Sequence, residues 1–307
     1  MLVARIRAIP NVASALASGR AVVALESSVL AQGLPIPQNR EAARRMVQGV
    51  ELGGAVPAFT AVVCGVPTMG LEPDELNRFL ARDGVRKVAA RDLAAAIAQK
   101  ADGATTVSAS LCIAGLAGVR VFATGGIGGV HRDSPFDESG DLAELARTPM
   151  VVVCAGAKSI LDLPATLERL ETLGVLVVGY RTNELPGFFT KTTGLMLSTR
   201  ADSPEEIAAI YRAGLALGRP QATLVVQQPP DAVALPQRLV DDAVTDALVQ
   251  ARSSGISGPA TTPFLLAAVL RATDGRSLSA NLGLLEENAA LAGRIAIALQ
   301  READTLS

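Results

Sequence analysis

Val151-Val-Val-Cys-Ala-Gly-Ala-Lys-Ser-Ile-Leu-Asp-Leu163 is a strand, a turn and a helix start in thirteen residues. Val151 to Cys154 is a short apolar, β-branched run, the pattern of a parallel strand buried on both faces. Ala155-Gly-Ala157 is a tight small-residue turn, and Ser159 to Leu173 has helical spacing and good helix formers. Lys158 therefore falls at a strand-to-helix junction, near the positive end of a helix dipole, where a cation is disfavoured. A neutral lysine amine is a nucleophile that forms imines with carbonyl carbons. An ordinary loop lysine reaching to solvent is the competing reading.

Outward from this unit, strand-like and helix-like segments alternate, the α/β signature. Further strands are expected at 21–25, 56–66, 87–89, 119–124, 175–179 and 222–227. Helices are expected at about 39–53 and 73–82, after Arg91-Asp92, from the hydroxyl run 105–110 to about Leu116, and at 141–147 and 203–217, and the chain from Leu239 reads as mainly helical, at 239–254, 262–272 and 284–301. No internal repeat, coiled-coil run or flexible linker interrupts residues 1–307, which predicts a single domain.

Composition narrows the function. The chain has 307 residues, 49% hydrophobic and 19% charged, enough for a substantial core. A net charge of −2 and a pI of about 5.6 imply no polyanion-binding surface. With no Trp, two Tyr and seven Phe, a base-stacking platform for single strands is not expected. Small solutes are the expected ligands, with neither nucleic acid nor membrane as partner. Cys64, Cys112 and Cys154 all lie in apolar segments at long spacings, which predicts reduced core cysteines of a cytoplasmic protein. Met1 to Arg7 lacks a long apolar core followed by a cleavage site, so no secretory leader is expected.

In an open parallel sheet, ligands bind outside the carboxyl ends of the strands. Glu26, Lys87, the hydroxyls of 105–110, the glycines of 125–129 and Lys158 all fall there. Glu26 is a candidate proton donor, or else a carboxylate capping the next turn. The hydroxyl-rich helix start suits an anion such as phosphate, although Ser and Thr cap many helices. Gly125-Gly-Ile-Gly-Gly129 lacks the dinucleotide and Walker A spacings and instead allows backbone to approach a small ligand, or a tight turn. Asp133, Asp137, Glu138 and Asp141 gather in nine residues, which suits Mg²⁺ or Mn²⁺ and equally suits a solvated loop capping a helix. His131 is the only histidine, leaving little material for a Ser-His-Asp mechanism.

Longer motifs go further. Val23-Ala-Leu-Glu-Ser27, Gly33-Leu-Pro-Ile-Pro-Gln-Asn39, Gly103-Ala-Thr-Thr-Val107, Val121-Phe-Ala-Thr-Gly-Gly-Ile-Gly-Gly-Val-His-Arg132, Val153 to Leu163 and Thr262-Pro-Phe-Leu-Leu266 follow one another in order. Together they resemble the pseudouridine-5′-phosphate glycosidase (indigoidine synthase A) family, over about residues 10 to 300. The resemblance implies a three-layer α/β/α fold with a mostly parallel central sheet, a homotrimer and a divalent metal, typically Mn²⁺. It implies reversible cleavage of the C–C glycosidic bond of pseudouridine 5′-phosphate to uracil and ribose 5-phosphate. Carried over by motif, Lys158 is the nucleophile that forms an imine with C1′ of the opened ribose, and Glu26 is the proton donor. Lys87, Val107 (through its backbone) and Ser139-Gly140-Asp141 contact substrate, and Asp137 is the metal ligand. Phe136-Asp-Glu-Ser-Gly-Asp141 departs from the family's Phe-Asp-Ile-Ser-Ala-Asp at Glu138 and Gly140.

Two rival readings are a Schiff-base sugar-phosphate aldolase, which predicts a (β/α)₈ barrel, and a non-catalytic sugar-phosphate or nucleotide binding protein. A binding protein needs no nucleophile, so the presence of both Lys158 and Glu26 weighs against it.

Overall fold

Strands apolar on both faces can be buried only between helices, and the chain solves this with one large sheet. The structure is a computed structural model that describes residues 6–132, 137–256 and 261–305. Among the described residues, eleven strands share that sheet. Its main order is Arg7–Ala8, Val66–Met69, Val56–Val63, Val22–Leu25, Val121–Ala123, Val151–Cys154, Thr223–Val226, Leu176–Tyr180 and Thr199–Ala201. Asp102–Thr105 pairs with Val56–Val63 and carries Val85–Val88 beside it.

From Val56–Val63 through to Thr199–Ala201 every neighbouring pair is parallel, with Val153 opposite both Ala123 and Val225. The antiparallel pairs in this sheet join Val56–Val63 to Val66–Met69 and to Asp102–Thr105. The sheet stays open at both edges, which excludes the aldolase-type barrel. Helices lie on both sides, giving the expected three layers. Arg276–Thr305 packs on the three central strands Val22–Leu25, Val121–Ala123 and Val151–Cys154, and against the helices Gln38–Leu52 and Pro204–Ala216. It buries Leu284, Leu285, Leu291 and Ile295.

Several local expectations need correction. The run 56–66 is not one strand: it turns at Cys64 and Gly65, whose φ values are +49° and +80°. A two-residue loop with both φ positive is the hairpin geometry that matches strand twist. Cys64 is consequently exposed and Cys112 is half-buried, so among the three only Cys154 is a core cysteine. Burial pushes the Cys154 thiol up to about 12. The last helix begins at Arg276, eight residues earlier than its apolar spacing suggests.

The helix expected from Ser159 begins at Leu163. Leu161–Asp162 first pairs antiparallel with Val130–His131. Asp162 then caps the helix by accepting from the Ala165 N–H at 2.9 Å, with Pro164 in the first turn. The helix dipole therefore does not end at Lys158. Asp133 and Phe136 of the acidic loop lie outside the described residues.

Candidate active site

The strand ends bring their polar residues together. Glu26, Lys87, Gly125, Gly126 and Lys158 line one cavity, closed by Ser28, Val29, Gln32 and Phe188 and by Thr262, Pro263, Leu266 and Asn281 from the C-terminal helices. Motifs over a hundred residues apart in sequence thus share a wall.

Glu26 leaves the end of Val22–Leu25 only 5% exposed. Ser28 Oγ donates to its Oε2 at 2.7 Å, and Thr124 Oγ1 donates to its Oε1. Thr124 is fixed in turn, because its carbonyl accepts from Asn288 Nδ2 at 2.8 Å and Asn288 Oδ1 accepts from Gln227 Nε2 at 2.8 Å. Glu26 therefore does not cap the next turn; both oxygens are held by side-chain hydroxyls.

Lys158 is aimed by backbone. Gly156 turns the chain at φ +88°, and the Lys158 N–H donates to the Ile127 carbonyl at 3.1 Å. Behind it, Arg132 donates from Nε to the Leu161 carbonyl at 3.1 Å and from Nη2 to the Ser159 carbonyl at 3.2 Å. The lysine thus stands on a turn tied to the glycine loop, not on a helix end.

Lys87 sits on Val85–Val88 and opens onto the cleft. Protein atoms crowd its amine and displace water from it, which lowers its pKa below the ordinary lysine value. The charge of Lys158 lowers it further, while Glu26 and Asp141 pull the other way. Two amines facing one cavity suit a dianionic phosphate and a carbonyl better than any cationic ligand.

Two of the hydroxyls at 105–110 are closed off from the cavity. Thr105 and Ser110 are buried with Ser27 and Thr60 in a closed network: Thr60 Oγ1 lies 2.8 Å from both Thr105 Oγ1 and Ser110 Oγ, and Ser27 Oγ donates to the Thr60 carbonyl at 2.7 Å. They hold strand ends together beneath Glu26 and are not offered to a ligand. Val107 opens the helix Val107–Leu116, so its N–H has no intrahelical acceptor and is available to an anion.

Asp141 is 6% exposed, and its carboxylate accepts from the Ser108 N–H and the Gly128 N–H, each at 2.9 Å. It brackets the helix start against the glycine loop. Ser139 caps the short helix Gly140–Leu145, its hydroxyl accepting from the Asp141 N–H at 3.2 Å. Gly128 leaves room for this: a Cβ there would lie 2.2 Å from Ser139 Oγ. Asp137 is exposed, and its carbonyl accepts from the His131 N–H at 3.0 Å. Among the described residues, no three His, Cys, Asp or Glu side chains gather to hold a metal ion. An ion held there would rest on one carboxylate and waters, the habit of Mg²⁺ and Mn²⁺.

Gln32, Phe188 and Asn281 were missed by sequence reasoning. Nothing in their local patterns marks them, although Gln32 immediately precedes a quoted motif.

Residues 11–298 match the family model for indigoidine synthase A like protein. The chain is 64% identical to the pseudouridine-5′-phosphate glycosidase of Gemmatimonas aurantiaca, over 96% of each protein. It is 49% identical to the enzyme of the same name from Herpetosiphon aurantiacus, over 94% of this chain and 96% of that one. Among solved structures, a prealnumycin C-glycosynthase in complex with ribulose 5-phosphate superposes with a TM-score of 0.91 at 37% identity, covering 98% of both chains. An indigoidine synthase A-like protein from Thermotoga maritima gives 0.89 at 34%, again over 98% of both. With the family model matching residues 11–298 and relatives matching nearly the whole length, the chain belongs to the indigoidine synthase A-like family.

Proposed function

We propose that the protein cleaves the C–C glycosidic bond of pseudouridine 5′-phosphate reversibly, giving uracil and ribose 5-phosphate. One observation carries this reading: Lys158, Glu26 and Lys87 reach a single cavity from three separate strands. The names of the two relatives described above support it.

A carbon-bound base has no heteroatom leaving group, so two-carboxylate glycoside hydrolysis is a poor template. The Lys158 amine adds to C1′ as the ring C1′–O4′ bond opens, and O4′ takes a proton from Glu26 to become a free hydroxyl. The Lys158 lone pair then forms the C1′=N bond while the C1′–C5 electron pair passes to the base and takes a proton. Glu26 receives the proton that Lys158 sheds and returns it to that ring carbon. Water hydrolyses the imine, releasing ribose 5-phosphate and free lysine. Lys87, the Val107 N–H, Ser139 and Gly140 hold the phosphate, and Asp141 keeps their two segments in register; anchoring remote from the reacting bond serves orientation. Asp137 would hold the divalent metal, Mn²⁺, which would supply positive charge against the phosphate. The chain assembles as a homotrimer and works in the cytoplasm; no helix among the described residues is long and apolar enough to cross a membrane.

Borohydride reduction in the presence of ribose 5-phosphate, followed by peptide mapping, is expected to place an adduct on Lys158. Intact catalysis without that adduct overturns the imine. Lys158→Ala is expected to fold normally and to release no uracil, which separates an enzyme from a binding protein. A second reading, C–C bond formation with another carbon nucleophile, is favoured by the likeness to the glycosynthase. Product analysis with uracil absent and other ring acceptors present tests it.

A further inference from the structure

Lys158 rides on a short irregular turn that is fixed from two sides. On the entry side Ala157 bridges Ile127, and the Lys158 N–H donates to the Ile127 carbonyl at 3.1 Å. On the exit side the Leu161 N–H donates to the Lys158 carbonyl at 2.9 Å, which closes the turn on itself. Strand pairing starts only at Leu161, opposite His131. Arg132 spans the interval between. Its Nη2 donates to the Ser159 carbonyl at 3.2 Å and its Nε to the Leu161 carbonyl at 3.1 Å, so one guanidinium holds the carbonyls one and three residues after the lysine.

The base of this arm is itself anchored. Arg132 follows Val130–His131, where the Val130 N–H donates to Thr166 Oγ1 at 3.0 Å and the His131 N–H to the Asp137 carbonyl at 3.0 Å. Gly129 lies so close to the helix Leu163–Thr172 that a Cβ there would meet Thr166 Oγ1 at 2.4 Å. The strand is thus pinned between that helix and the 137–141 segment, and Arg132 reaches from it to the turn.

Arg132 does not line the cavity that holds Lys158 and Glu26. With Ser159, Asp162 and Thr190 it lines a separate cleft of about 530 Å³. Its hold on the lysine therefore runs through backbone and not through substrate. A planar fork that donates to two carbonyls fixes the orientation of the peptide units, which the point charge of an ammonium does not.

We propose that Arg132 is the positioning residue for Lys158: its guanidinium sets the turn from behind so that the amine meets C1′ in line. This rests on the function proposed above, in which Lys158 is the nucleophile.

The test reads the rate of imine formation at Lys158, by quenching with borohydride at successive times after mixing with ribose 5-phosphate. Arg132→Ala is expected to slow it about a hundredfold, the scale of a small misplacement of a reacting group. The kcat for uracil release falls alike, while the KM for ribose 5-phosphate in the synthetic direction changes little. Methylguanidine, which can enter through the cleft and replace the fork, is expected to recover the rate, and methylamine of the same charge is not. Arg132→Lys keeps the charge without the fork; it is expected to stay slow and stands in should Arg132→Ala fail to fold. An unchanged rate in Arg132→Ala, or a wild-type rate in Arg132→Lys, overturns the proposal. A slow Arg132→Ala that methylguanidine leaves slow overturns it too, because the loss is then one of packing. Wild-type protein that traps no ribose 5-phosphate on Lys158 overturns the functional reading itself, and the role of Arg132 with it.

Discussion

The Thr124 hydroxyl donates to one carboxylate oxygen of Glu26, while the carbonyl of the same Thr124 accepts from Asn288 at 2.8 Å. One residue thus joins Glu26 to the long C-terminal helix. Thr124→Val keeps the shape and removes the donor, leaving Glu26 Oε1 without that partner. Uracil release is expected to fall about tenfold in kcat with little change in KM, the scale of one lost hydrogen bond. Thr124→Ser retains the hydroxyl and is expected to stay near wild type. A loss in KM alone would show that Thr124 serves binding.

Lys87 is held below its ordinary value of 10.5 by desolvation and by Lys158. Between the folded and unfolded values the unfolded chain binds more protons, so stability rises with pH across that window; below it the charged lysine is a standing cost. Lys87→Met is therefore expected to melt higher than wild type at neutral pH. Its melting temperature should also rise less on the alkaline side up to pH 10.5. Thermal unfolding across that range checks both signs, and a raised KM for ribose 5-phosphate reports the lost contact.

Gly128 packs under Ser139 and Asp141. In Gly128→Ala the new Cβ meets Ser139 Oγ at 2.2 Å and Asp141 Oδ2 at 2.9 Å, which pushes the bracket away from the glycine loop. Urea unfolding is expected to show a loss of about 1–3 kcal/mol, typical of overpacking. Ribose 5-phosphate affinity falls with it; a stable variant with normal affinity would detach this bracket from the phosphate end.

The cysteines differ in reactivity. Cys154 is buried and pushed up to about 12, and burial followed by the charge of Glu144 raises Cys112. Thiolate is the reactive form, so alkylation of native protein is expected to mark Cys64 alone, with Cys154 labelled only on unfolding. Mass mapping after a short pulse decides it.

The layered α/β architecture was legible because it depends on local pattern: Val151–Cys154, Val121–Ala123 and Thr223–Val226 are apolar on both faces and can only be interior parallel strands. Glu26, Lys87 and Lys158 were legible for a related reason, since strand ends in such sheets face one crevice. Other features depend on what approaches from elsewhere in the chain. Cys64 is apolar in context, yet a hairpin exposes it. Ser159 to Asp162 has helical spacing, yet pairing with Val130–His131 delays the helix to Leu163. Thr105 and Ser110 look like ligand hydroxyls, yet Ser27 and Thr60 consume them. Lys158 itself was evident from its motif; what aims it, the Ile127 carbonyl, and what lines the cavity with it, Gln32, Phe188 and Asn281, come from segments remote in sequence. Only tertiary packing brings those groups together, because no local period encodes a contact between distant strands and helices.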